Sequence, residues 1–416
     1  MVSLLLLLKK GDKMSKFLFA PFMMNLGESQ RLSKLANYLY EQGHDIHILG
    51  DNYYPFLFNN DAYRYHHCVE DKSVYNSKRY DAFFSLSTDF NFLSEEEIER
   101  ICSIERDLLR QEKFDAVLTG YRLSIVTSCR LESIPLIWII SGATHISEIV
   151  ENSEGILPNG KISKASKPQT KDFIKRVITT YSTNVKTWNN YIKKYGGKPF
   201  NNALELFTGD LNLVTDYSLF YEFDKDSSYK TIGPILIDNV GFSKCSQIKQ
   251  DNKTVLLSFG TSFKRDWVES FLKTLPRHYH YLLTSCGEAI NIPGSYIEVV
   301  DFIDFKTIDK EIYFAIIHGG QGTVYAMAAQ GIPFIGIPFF NEQFWNIKKF
   351  SKEKCAYLVK KPDVREIRKA ISCLEIDYDI YKSHMIRLSQ GIKEEAEASL
   401  QKAEAEIESF IRKRQS

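Results

Sequence analysis

Little in this chain of 416 residues is pushed to an extreme, and its absences narrow its class. Lysine and arginine total 53 against 52 aspartates and glutamates, so no overall field draws nucleic acid or an anionic membrane. The cysteines, Cys68, Cys102, Cys129, Cys245, Cys286, Cys355 and Cys373, are scattered, odd in number and never spaced as C-x-x-C. That excludes a disulfide framework and a zinc ribbon, and leaves free thiols in a reducing cytosol as the expectation. No apolar run is long enough to cross a bilayer. Leu4 to Leu8 is short, Lys9 and Lys10 follow it instead of preceding it, and no small-residue cleavage site comes next. Residues 1–13 are therefore expected to be a disordered or misassigned extension, with Met14 as the natural beginning. Internal repeats, low-complexity tracts, Walker loops, zinc-ligand spacings and Ser-His-Asp arrangements are not visible.

What remains is globular: 44% hydrophobic and 25% charged residues, in a chain long enough for two domains of roughly 200 residues. The run from Phe17 to Phe22 reads as a buried strand. Leu32, Leu35, Ala36, Leu39 and Tyr40 recur at helical spacing up to Gly43, and Asp45 to Leu49 returns as a strand. Such a strand-helix-strand unit predicts a parallel sheet with its ligand site at the carboxyl ends of the strands. Residues 51–92 show no clean period and read as loops and short helices. Alternation resumes at Ser94–Gln111, Asp115–Leu118, Arg122–Leu131 and Leu136–Ile140, followed by a helix at 171–195 and a strand at Leu211–Thr215. Ser243 to Asn252 reads as a polar linker. The second half brings strands at Thr254–Phe259, Tyr279–Thr284, Ile297–Val300, Tyr313–Ile317, Phe334–Ile337 and Ala356–Val359, then helices at Val364–Leu374 and Asp377–Arg412. The expectation is an α/β chain with units at 14–240, 241–392 and a final helix, 393–416.

One stretch organises the second half. The strand ending at Ile317 runs into His318-Gly319-Gly320-Gln321-Gly322-Thr323, and a helix follows up to Gly331. Glycines let a backbone approach a ligand closely, and the free N–H groups at a helix start seat a phosphate. Gly260-Thr261-Ser262 places another glycine turn, with hydroxyls, at the end of a strand. Downstream come Gly331-Ile332-Pro333 and Pro338-Phe339-Phe340-Asn341-Glu342-Gln343-Phe344-Trp345-Asn346.

That order, His-Gly-Gly-x-Gly-Thr, then Gly-x-Pro, then Pro-x-x-x-Glu-Gln-x-x-Asn, resembles the nucleotide-sugar motif of the GT-B glycosyltransferases of the UDP-glycosyltransferase type, including the macrolide-glycosylating bacterial branch. The resemblance implies two Rossmann-like parallel-sheet domains facing each other across a cleft, with the last helix crossing back to the first domain. It implies a cytoplasmic enzyme without cofactor or metal that moves a sugar, with inversion, from a nucleotide diphosphate to a small hydroxylated acceptor. By the same resemblance the diphosphate falls to Gly260, Thr261, Ser262, His318, Gly319, Gly320, Gln321, Gly322 and Thr323. The sugar hydroxyls fall to Glu342, Gln343 and Asn346, and the base to Phe302, where the family carries a stacking Trp. Integral membrane segments and nucleic acid are not expected, while a homodimer or a partner transferase stays open.

Departures are as telling. The family's ribose-binding acid is Ala326 here, and Phe305 replaces the Gln that reads the base, which leaves UDP and dTDP undivided. The family's catalytic Gly-His pair reads Gly27-Glu28, and Gly120 stands where the Asp of the dyad belongs. Glu28 is a candidate base if burial raises its pKa, against a capping role at a helix start; His145 is the weaker alternative. Asp224-Lys225-Asp226 has a D-x-D spacing in a polar turn and is not expected to hold a metal. Two other readings stay open: a catalytically silent relative that activates a partner transferase, and a sugar-nucleotide epimerase on the same fold.

Overall fold

The computed structural model describes residues 14–415 apart from 52–53, 55, 70, 75–78, 80–90, 153–166, 225–226, 238–252, 261–264, 306–311 and 361–362. Residues 1–13, the linker segment, Thr261, Ser262 and the rest of the D-x-D turn after Asp224 lie outside it.

Two sheets carry the chain. The first holds β1 (Lys16–Phe19), β2 (Asp45–Leu49), β3 (Arg64–His66), β4 (Ala116–Thr119), β5 (Leu136–Ile140), β6 (Leu211–Val214) and β7 (Tyr229–Thr231), in the order β3-β2-β1-β4-β5-β6-β7. The second holds β8 (Thr254–Ser258), β9 (His280–Thr284), β10 (Ile297–Val300), β11 (Ile312–Ile317), β12 (Phe334–Gly336) and β13 (Ala356–Leu358), in the order β10-β9-β8-β11-β12-β13. Every pairing is parallel. Parallel strands buried on both faces read as continuous apolar runs, as Leu136-Ile137-Trp138-Ile139-Ile140 does, because helices cover both sides. This is the GT-B architecture.

In each sheet the strand order reverses once, between β1 and β4 in the first and between β8 and β11 in the second. Loops leaving adjacent strands diverge at such a point, and a crevice opens at their carboxyl ends. Both crevices fall where the motifs lie: Pro21–Asn25 and Gly120–Arg122 on one side, Phe259–Gly260 and His318–Gly320 on the other.

Element boundaries differ from the periodicity in instructive places. The expected helix at 171–195 is two helices, Lys167–Thr179 and Lys186–Lys194, with a 3-10 turn at Thr183–Val185 between them. The tract at 51–92 contains an edge strand, β3, which pairs with His47 to Leu49 although its own sequence lacks alternation. Helices at Arg265–Leu272 and Asn341–Lys352 complete the second half.

The closing helix, Tyr378–Gln415, is continuous over 38 residues and belongs to both cores. Met385, Leu388 and Ile392 pack with Leu256, Ile317 and Met327, whereas Ala403, Ile407 and Ile411 pack with Phe17, Leu35 and Ile139. Polar contacts fix the crossing: Tyr38 Oη donates to Glu404 at 3.0 Å, and Ser218 N donates to Glu395 at 2.9 Å. The end of this helix thus completes the first core. Ile407→Ala, which removes a side chain only 1% exposed, should cost about 2–4 kcal/mol. In urea titrations followed by residue-specific probes it should lower the midpoint of the first sheet's body more than that of the second.

Candidate active site

The first crevice is built around Glu28. Asn25 ends a tight turn, its N–H bonding Phe22 O at 2.9 Å, and caps the helix Leu26–Glu41 by accepting from Glu28 N at 3.1 Å. Glu28 is therefore not the capping acid. Its carboxylate leaves the helix end and accepts from Phe22 N, 3.1 Å from each oxygen, and from Tyr121 N at 3.1 Å. One side chain ties the loop after β1 to the loop after β4, next to Thr119, whose hydroxyl donates to Ala20 O at 2.7 Å.

The same packing explains Gly120. A Cβ there would lie 2.5 Å from Glu28 Cγ and 2.6 Å from Oε1. The carboxylate of Glu28 fills the space that a side chain at position 120 would need, so the two positions are sterically coupled. Burial raises the Glu28 carboxyl from 4.5 to about 7, against the amides of Phe22 and Tyr121 and the charge of Arg31, which favour the ionised form. A carboxyl that titrates near neutrality is equipped to take a proton from a hydroxyl.

Arg31 and Tyr121 are the neighbours that pattern reading passed over. Arg31 follows Glu28 by about one helical turn and is itself buried, with Nε lacking a hydrogen-bond partner among the described residues. A charged residue on the apolar stripe of Leu32, Leu35 and Leu39 was the available signal. Tyr121 reaches across the cleft, its hydroxyl donating to Glu342 at 3.0 Å. Burial raises the Glu342 carboxyl, while the guanidinium of Arg31 opposes that rise.

The second crevice is organised by His318. Its backbone N–H and its Nδ1 both meet Ser258 O, each at 3.2 Å. A carbonyl only accepts, so Nδ1 carries the proton and Nε2 is bare in the neutral ring. Burial lowers the imidazole to about 4, which keeps it neutral. The ring lies between two glycines: a Cβ on Gly320 would come 2.5 Å from Nε2, and one on Gly260, at φ +63°, 2.8 Å from Cε1. His318 thus spaces the two turns apart. The helix Gln321–Ala329 opens on Gly320 without any side-chain cap or first-turn acid, so the amides of Gln321, Gly322 and Thr323 head a positive dipole end.

The remaining motif residues divide. Gln321 sends its side-chain N–H across to Thr215 O at 2.9 Å, which joins the sheets, while its Oε1 is buried without a hydrogen-bond partner among the described residues. Asn346 donates to Gly319 O at 3.2 Å and supports the glycine turn from below. Gln343 accepts from Phe339 N at 2.8 Å and Phe340 N at 3.2 Å, which shapes the start of its own helix. Of the acid-amide pair, Glu342 alone turns its carboxylate into the cleft. Phe302 follows β10 and is half-buried. His145 caps the helix Ile146–Glu151, with Nδ1 accepting from Ser147 N at 3.3 Å, between the rings of Phe223 and Tyr229. None of its contacts reaches Glu28. Further cross-cleft bonds, Trp345 Nε1 to Asn152 O at 3.3 Å and Lys349 Nζ to Glu148 at 2.9 Å, hold the crevices face to face.

Among the described residues one group could offer three ligands to a metal: His44, Glu404 and Glu408. It lies between the first helix and the closing helix. Because His44 Nδ1 accepts from Ser15 N at 3.3 Å, the proton sits on Nε2, facing Glu404 at 4.0 Å. That is a His–carboxylate contact.

Two crevices at the reversal points of two facing parallel sheets, one lined by helix-start amides and glycines and the other by a buried carboxylate, define the site class of a GT-B protein. Residues 312–415 match the family model of UDP-glucuronosyl and UDP-glucosyl transferases. Over nearly its whole length the chain is similar to the glycosyltransferase of kitacinnamycin, at TM-score 0.69 and 13% identity, covering 95% of this chain and 99% of that one. It is likewise similar to CalG4, the calicheamicin glycosyltransferase, at TM-score 0.64 and 14% identity over 96% and 99%. SsfS6 of Streptomyces sp. SF2575, solved with thymidine diphosphate, matches at TM-score 0.59 and 13% identity over 91% and 96%. No curated protein matches the chain. Among the described residues no helix is long and apolar enough to cross a membrane.

The contact between Glu28 and Gly120 can be tested alone. Gly120→Ala should displace the carboxylate and destabilise the protein by about 1–3 kcal/mol. The same change made in a Glu28→Ala background should cost much less, because the space is then empty. Thermal unfolding of the four proteins of this cycle gives the coupling, and additive costs would show that the clash is relieved elsewhere.

Proposed function

We propose that the chain is a nucleotide-sugar-dependent glycosyltransferase that inverts at the anomeric carbon and needs no metal. The observation that carries this reading is the pairing across one cleft of an uncapped, glycine-headed helix start with a buried carboxyl titrating near 7. The donor diphosphate lies against the amides of Gln321, Gly322 and Thr323, and Glu342 receives a sugar hydroxyl. The acceptor enters on the first sheet's side. Its hydroxyl oxygen bonds to the anomeric carbon as its proton passes to Glu28, and the bond from that carbon to the diphosphate oxygen breaks. The helix-start amides take up the charge that develops on the leaving group.

Glu28 can act in this way although its carboxylate holds two loops. The carboxylate accepts from the amides of Phe22, Tyr121 and Gly120, and against these three donors a carboxylate offers about four acceptor sites, which leaves one for the proton. The resemblance to natural-product glycosyltransferases and to a thymidine diphosphate complex supports a small-molecule acceptor and a nucleoside diphosphate donor.

A base is competent only when ionised. With the carboxyl near 7, transfer should therefore rise with pH through that value and level off above it. In Glu28→Gln the turnover should fall about 100- to 10,000-fold with donor affinity unchanged, and the acidic limb should vanish. Donor hydrolysis followed by nucleotide release reads both without knowledge of the acceptor. Full activity with an unaltered limb would remove Glu28 from the mechanism. A native chain inert toward every common nucleotide sugar, yet co-purifying with a second transferase, would establish the silent-partner reading.

Glu342 separates sugar from nucleotide. Glu342→Ala should weaken a nucleotide sugar by about 1–3 kcal/mol while leaving the free nucleoside diphosphate nearly unaffected. Equal losses in calorimetry would return Glu342 to a purely structural role.

A further inference from the structure

Arg31 is a permanent charge that the proposed chemistry leaves unused. It is 6% exposed, its Nε has no hydrogen-bond partner among the described residues, and no ion pair within 4 Å links it to a described carboxylate. A buried guanidinium Nε without a partner is costly to keep, so its place needs a reason. It lies beside the Gly27-Glu28 turn, with Nη1 3.8 Å from the position of a Cβ on Gly27. Its charge acts on Glu28 from the same helix, on Tyr121 from the loop after β4 and on Glu342 from the opposite sheet; Asp216, after β6, acts on Glu342 in turn.

We propose that Arg31 is the positioning residue of the Glu28 base, a charge-inverted counterpart of a His-Asp dyad in which a cation steadies an anionic base. This rests on the reading of Glu28 as base. In a His-Asp pair the base becomes positive when it takes the proton, so an anion must stand behind it. A Glu base is negative before it takes the proton, and the group that stabilises its working form must be positive. Arg31 is the buried cation that the first helix supplies one turn along the same face, where a rigid element holds it.

The sign follows. Without the cation at 31 the Glu28 carboxyl holds its proton to higher pH, and the base form appears later. The pH–rate profile of donor hydrolysis by the full-length chain should show this. In Arg31→Met the acidic limb should move upward by about one unit or more, with most of the plateau turnover recovered above it and donor KM within about twofold of native. Arg31→Lys, which retains the charge, should keep the limb near its native position. Glu342→Gln offers a second arm that leaves the first helix intact: removing a negative charge from the cluster should move the limb downward. A uniform loss at every pH with an unmoved limb would overturn the proposal. So would a limb moved as far in Arg31→Lys as in Arg31→Met. A donor KM raised tenfold with an unmoved limb would make Arg31 a ligand of the diphosphate instead. The base assignment is judged separately by Glu28→Gln: if that variant keeps its limb, the base is misassigned whatever Arg31 does.

Discussion

The bridge made by the Glu28 carboxylate between Phe22 N and Tyr121 N is the constraint on which the first half depends. At a strand-order reversal the two loops leave in opposite directions, and nothing in the sheet ladder holds them together. Glu28 does so with two buried backbone amides, groups that would be costly to leave unpaired. Its companion in the second half is His318, whose neutral ring keeps Gly260 and Gly320 at a fixed separation. Each crevice is thus defined by one polar side chain set between two loops. In both cases a glycine is required because that side chain already fills the space.

Read from sequence, His318, Gln321, Gln343 and Asn346 are ligand-facing by resemblance. In the folded chain each of them spends one polar group on an internal partner, namely Ser258 O, Thr215 O, the amides of Phe339 and Phe340, and Gly319 O, while Gln321 Oε1 is buried without a hydrogen-bond partner among the described residues. What they share is the shape of the crevice. A motif can persist because it builds a backbone surface, here one that turns helix-start amides and the Glu342 carboxylate toward the cleft.

The parallel sheets and the strand-to-helix glycine turn were legible because each rests on local pattern: apolar runs and glycine punctuation. Strand β3 was not, since Arg64-Tyr65-His66 gains its conformation from pairing with β2. The break between Lys167–Thr179 and Lys186–Lys194 was missed because it falls at an ordinary polar stretch, Thr180–Thr183, without glycine or proline. In the site, Gly120 was noticed as a missing acid, but its reason was invisible. The clash with Glu28 joins positions 28 and 120, which no window spans. Arg31 was legible in principle as a charge on an apolar stripe, yet its relevance depends on Glu342, which arrives from the other sheet.

The contacts across the cleft differ between its centre and its rim. Tyr121 donates to Glu342 across the gap, and in the proposed function a sugar hydroxyl needs the same carboxylate. Replacing one hydroxyl donor by another exchanges bonds of similar strength, so the unliganded cleft keeps Glu342 satisfied at little cost to affinity. The contacts at the rim, Trp345 with Asn152 and Lys349 with Glu148, engage no group that the donor would use. They persist on either side of the exchange. The rim thus holds the two sheets face to face, while the centre offers a partner that can be swapped, and there Glu342 of the second half comes to the Glu28 and Arg31 of the first helix.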